Sequence, residues 1–131
     1  MFKYLLILFV TLSMQSCKKD ESRTSIQGSW NCDEFSDIEQ RIYQVSIIRN
    51  HYLPNDSNEY IINNFYNLGI TESSEVYVRE VKSGELKITG TAAIGYSFIG
   101  TGVISDNFSR IEWTYQVNDG INNPNIRANY Y

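Results

Sequence analysis

Between Ile111 and Val117 every second residue is large and apolar. Ile111, Trp113, Tyr115 and Val117 alternate with Glu112, Thr114 and Gln116, and Arg110 precedes them. A two-residue period is what a strand with one buried and one wetted face produces, because successive side chains leave a pleated backbone on opposite sides. Helical periodicity is weak elsewhere in the chain, so the alternation predicts an all-β protein.

Similar runs recur between turn signals. A first strand is expected over 26–35, then an acidic connection over 33–40 with room for a turn of helix. Tyr43, Val45 and Ile47 mark a second strand. Pro54, Asn55 and Asp56 have turn chemistry, since proline presets one backbone angle and Asn and Asp tolerate unusual ones. A third strand follows over 59–66. Beyond a polar link at 71–74, the run 76–81 meets Leu86, Ile88 and Thr89 across Ser83-Gly84, a two-residue hairpin connection. The run 95–104 places Tyr96, Phe98, Gly100, Gly102 and Ile104 on one side, and its glycines suggest a curl in the sheet. The strand over 111–117 and a last one over 125–131 complete eight. Eight short strands with mostly short links fit an antiparallel up-and-down meander closed into a barrel, which removes exposed edges. A β-sandwich is the alternative, since period and strand count do not separate the two.

The N-terminus has a different character. Lys3 precedes an apolar block over 4–14 that is about half the ~20 residues needed to span a bilayer. It reads as an export signal over 1–16. Met14-Gln15-Ser16-Cys17 resembles the lipobox of bacterial lipoproteins, with Met14 and Gln15 in place of the usual Leu and small residue. The resemblance implies cleavage before Cys17 and a lipid on its sulfur. Lys18, Lys19, Asp20 and Glu21 resemble the signal that sends bacteroidete-type lipoproteins to the outer face of the outer membrane, the periplasmic face being the alternative. Residues 17–25 are then a lipidated tether and 26–131 a single domain. Two or three acyl chains hold a protein stably, where one holds it only reversibly. Membrane contact is thus expected through the lipid alone.

Gly28-Ser29-Trp30 on a first strand resembles the Gly-x-Trp element of lipocalins and related calycin barrels. In those families an arginine of the last strand crosses the tryptophan at the closed end. The resemblance assigns that part to Arg127, so that Gly28, Trp30 and Arg127 form a plug. The patterns Tyr60-Ile61-Ile62-Asn63-Asn64-Phe65, Gly100-Thr101-Gly102 and Trp113-Thr114-Tyr115 resemble small exported lipoproteins described as lipocalin-like.

An eight-stranded barrel is either filled by its own side chains or holds one small ligand. Tyr43, Tyr60, Tyr96, Phe98, Trp113 and Tyr115 are the inward residues able to line a cup for an apolar or sugar-like ligand, or to form the core instead. Two function classes follow. One is a lipid-anchored protein binding a small ligand or a macromolecule at the barrel mouth. The other is a non-catalytic accessory protein of the envelope with a solid barrel.

Loss of Lys3 with the signal leaves 10 basic against 15 acidic residues, so nucleic acid is not an expected partner. With Cys17 lipidated, Cys32 has no partner and is expected to be buried. His51 and Cys32 lack a third residue to orient them as base and nucleophile, and no enzyme is expected. Asp33, Glu34, Asp37 and Glu39 lack the spacing of a calcium loop and read as a solvated acidic stretch. No cofactor or metal is expected. Replacing Cys17 by Ala is expected to leave the chain unacylated and to move it out of the membrane fraction. Fractionation and mass spectrometry of the mature N-terminus measure both.

Overall fold

The computed structural model describes residues 23–131; the signal over 1–16, Cys17, and residues 18–21 of the export address lie outside the described residues. Eight strands follow one another. They are β1 (Gly28–Phe35), β2 (Gln40–Arg49), β3 (Glu59–Asn63), β4 (Val76–Lys82), β5 (Glu85–Thr91), β6 (Ser97–Ile104), β7 (Ile111–Asn118) and β8 (Asn125–Tyr130). Each pairs antiparallel with the next, and β8 returns to β1, with Cys32 opposite Tyr130 and Phe35 opposite Arg127. The sheet is a closed up-and-down barrel, as lipocalin barrels are, and not a sandwich.

Alternation sets what lies inside. On β7, Ile111, Trp113, Tyr115 and Val117 are buried while Glu112, Thr114, Gln116 and Asn118 are exposed. On this strand an apolar inner face is backed by a polar outer one, the reverse of a strand that spans a bilayer. No helix among the described residues is long and apolar enough to cross a membrane.

Because strand direction alternates, connections 36–39, 64–75, 92–96 and 119–124 all emerge at one end, the apical end. Connections 50–58, 83–84 and 105–110 share the basal end with the incoming segment 23–27.

The third strand is shorter than the sequence predicts. It stops at Asn63, and Asn64, Tyr66 and Asn67 take positive φ of 62°, 55° and 57°, which no strand can continue. Asn64 makes this reversal tolerable. Its Oδ1 accepts the Gly69 N–H at 2.8 Å and its Nδ2 donates to the Gln44 carbonyl at 2.7 Å. The reversal turns Phe65, within a short 3-10 helix (Phe65–Asn67), into the barrel, where it is fully buried. Burying such a side chain contributes about 1.5–3 kcal/mol. The acidic connection also differs from expectation: β1 runs through Phe35 and the link 36–39 is a turn without helix.

Two glycines of β6 let the wall pass close to its neighbour. A methyl at Gly102 would lie 2.9 Å from carbons of the Trp113 indole, and one at Gly100 would overlap the Thr114 carbonyl and Tyr115. Overpacking costs about 1–3 kcal/mol, against about 0.5–1 kcal/mol gained by removing a strand glycine. Gly102→Ala and Gly100→Ala are therefore expected to destabilise by about 1–2 kcal/mol in denaturant titrations. Gly90→Ala, whose methyl would meet only Tyr77 Cδ2 at 3.8 Å, is expected to be neutral or slightly stabilising.

Candidate functional site

Three residues alternate inward along β1: Trp30 near the basal end, Cys32, then Glu34 near the apical end. Glu34 therefore does not belong to a solvated acidic stretch. It is 2% exposed, and the pleat that buries Trp30 buries it too. Both carboxylate oxygens are engaged. Oε1 accepts from Arg41 Nε at 2.9 Å and from Arg41 Nη2. Oε2 accepts the Tyr115 hydroxyl at 2.7 Å and the Tyr43 hydroxyl. Arg41 also donates to the Tyr66 carbonyl at 3.2 Å and lies over the Tyr66 ring at 4.4 Å. One carboxylate thus ties β1, β2, β7 and the Phe65 turn together.

Four donors on two oxygens leave no acceptor position for a substrate, and Arg41 balances the charge. Burial holds the Tyr115 and Tyr130 hydroxyls well above the usual tyrosine range, with nearby acidic groups adding to it. Burial, with Tyr130, Cys32 and Glu34 alongside, raises Tyr43 in the same direction. All three hydroxyls are protonated at neutral pH, and those of Tyr43 and Tyr115 serve as hydrogen-bond donors. The arrangement is a strut within the apical mouth.

Four of the six inward aromatics, Tyr96, Phe98, Trp113 and Tyr115, gather about Phe65. Phe65 sits 5.1 Å from Phe98, 5.8 Å from Trp113 and 4.7 Å from Tyr115, ring centre to ring centre. Tyr96 stacks on Phe98 at 6.1 Å, and Tyr43 and Tyr60 pack with the same core. Trp113 Nε1 finds no acceptor among the described residues, so packing alone sets the place of that indole. Phe65, which the sequence had assigned to a strand, enters this aromatic cluster from a turn.

At the basal end the stacking arginine is Arg23, not Arg127. The Arg23 guanidinium lies 3.8 Å over the Trp30 ring and donates to the Ser29 carbonyl at 2.6 Å. Trp30 Nε1 donates to the Ile26 carbonyl at 2.8 Å. Register decides against Arg127: it stands opposite Phe35, five residues or about 17 Å along β1 from Trp30. Ile126 and Ala128 point inward, so Arg127 points out and is exposed. Gly28 opens β1 at φ 126°. Residues 23–25, read as tether, lie against this end. Thr24 and Ser25 line a groove of about 350 Å³ with Arg49, Tyr60, Glu80 and Asp106.

Cys32 is free and fully buried, as expected, and burial pushes its thiol up to about 12. His51 is exposed on the basal 50–58 connection, so the two do not form a nucleophile and base. No metal-holding group of His, Cys, Asp and Glu occurs among the described residues. Sequence reasoning missed Glu34, Phe65 and Arg23. A signal existed for Glu34, since Trp30, Cys32 and Glu34 keep one period.

No family model matches the chain, and no curated protein matches its sequence.

Tyrosine ionises near 10.0 when exposed. Above that pH the unfolded chain releases protons that buried Tyr43, Tyr115 and Tyr130 keep, so the unfolded state binds fewer protons and stability falls as pH rises. The slope is up to about 1.4 kcal/mol per pH unit for each tyrosine, read from denaturation midpoints at alkaline pH. Tyr115→Phe is expected to cost about 1.5–3 kcal/mol at neutral pH and to make that alkaline decline shallower.

Proposed function

We propose that this chain is an exported envelope lipoprotein, held to the membrane by lipid on Cys17. Its barrel is a solid, non-catalytic scaffold that works through its outer surface as an accessory interaction protein. The observation that carries this reading is the filled interior. Phe65 and its aromatic neighbours occupy the width that a ligand-carrying barrel of eight strands leaves free. The saturated Glu34 carboxylate supports it as well, because a group with four donors has no capacity left to exchange protons with a bound molecule.

The anchor rests on sequence: an apolar run too short to span, ending at a cysteine, followed by Lys18, Lys19, Asp20 and Glu21. Residues 23–27 lie at the basal end, which supports a tether, and with it a membrane, on that side.

Both tryptophans lie in the core, so the interior reports on itself. Titrating the protein with a fatty acid, haem and a panel of glycans is expected to leave the fluorescence of Trp30 and Trp113 without any saturable change. A saturable shift or quench with any of them would replace the solid-scaffold reading by that of a ligand carrier.

A further inference from the structure

Each of the four apical connections carries one isoleucine held out in solvent. Ile38 is 91% exposed, Ile70 80%, Ile94 96% and Ile121 90%. Single exposed apolar residues are ordinary. One on every loop around the same mouth is not scatter. The basal connections do not repeat it: 83–84 is Ser83-Gly84, Phe108 of 105–110 packs against the core, and Tyr52 and Leu53 of 50–58 are only half-exposed. Isoleucine is a poor turn residue and these four contribute nothing to the core, so their positions need a reason outside the fold.

The turns hold them in place. Ser36 N–H donates to the Glu39 carbonyl at 2.9 Å and Ser36 Oγ accepts the Glu39 N–H at 3.2 Å, bracketing Ile38. Ser74 N–H donates to the Thr71 carbonyl at 3.0 Å just after Ile70. Thr91 Oγ1 accepts the Ala93 N–H at 3.0 Å before Ile94. Asp119 Oδ1 accepts the N–H groups of Ile121 at 2.8 Å and Asn122 at 2.6 Å. Little ordering entropy is then left to lose on binding.

Charge identifies the occupant. The four connections contain no Lys or Arg; they carry exposed Asp37, Glu39 and Glu72, half-buried Asp119 with Oδ1 turned to the loop backbone, and buried Glu75. Arg41, at the start of β2, is held by Glu34 and Glu39, and Arg127 is exposed on β8 opposite Phe35. We propose that the apical rim docks a second envelope protein whose surface offers apolar pockets ringed by lysine or arginine. The proposal rests on the reading that the barrel works through its surface. A bilayer fits poorly, because surface-binding loops and helices pair apolar side chains with cations, not carboxylates. A second copy of this chain meeting rim to rim would set acid against acid. The tether enters at the basal end, so the rim points away from the anchoring membrane.

The test uses the full-length chain in the envelope of the cells that make it. A photo-crosslinking residue replaces Ile38, Ile94 or Ile121, and Asn107 on a basal loop as control. One protein crosslinked from all three apical positions and not from Asn107 is expected. Ile70→Ser, or the pair Asp37→Lys and Glu72→Lys, is expected to lower the yield from position 38 about tenfold at unchanged melting temperature. The captured protein, purified, should bind full-length protein in detergent more weakly as salt rises. Crosslinks to lipid alone, to another copy of this chain, equally from Asn107, or none at all would overturn the docking proposal. With the tryptophan titration silent, such a result leaves the solid-scaffold reading intact, whereas a saturable ligand shift removes that reading itself.

Discussion

Closing eight strands fixes the width of the interior, and that width governs what every inward residue can do. Side chains of an eight-stranded barrel just fill it, or leave room for one small molecule. This chain fills it from two directions. Trp113, Tyr115, Phe98 and Trp30 project from the wall, and Phe65 enters from the apical end on a turn that Asn64 stabilises. Where Trp113 and Tyr115 would crowd the neighbouring strand, β6 supplies Gly100 and Gly102. Wall and filling are therefore matched pieces, and a change in one is felt by the other.

Within this apolar filling sits one carboxyl group, that of Glu34. A carboxylate taken out of water loses several kcal/mol of hydration, and its attraction to an arginine restores that only with good geometry and full hydrogen bonding. Glu34 has both, through Arg41, Tyr43 and Tyr115. Replacing a buried ion pair by apolar residues of similar volume is often neutral or stabilising, so net stability is not what such a network is best suited to supply. It does fix relative position, because the four donors come from β2 and β7, and one of the donor residues, Arg41, also holds the turn carrying Phe65 through its guanidinium. The turn is thereby held closed over the interior.

The two ends of the barrel have become different surfaces. The basal end is finished by the segment leading into β1, with Ile26 buried and Arg23 laid over Trp30. The apical end is finished by Phe65, with Tyr66, Leu68 and Tyr96 of the same loops packed against the core. Those loops carry isoleucine and carboxylates without cations, a combination that neither folding nor solubility requires.

The alternation of β7, the hairpin at Ser83-Gly84, the burial of Cys32 and the count of eight strands could all be read from sequence, because they depend on a period of two or on turn chemistry within a few residues. Nothing local could tell a barrel from a sandwich, since that depends on β8 pairing with β1 across the whole chain. The same long-range register moved the stacking role from Arg127 to Arg23 and set Glu34 beside Tyr115, 81 residues away. It also gathered Ile38, Ile70, Ile94 and Ile121 at one end. Sequence determined which residues face in and which face out; closure decided which of them meet, because partners in a sheet are chosen by register and not by nearness along the chain.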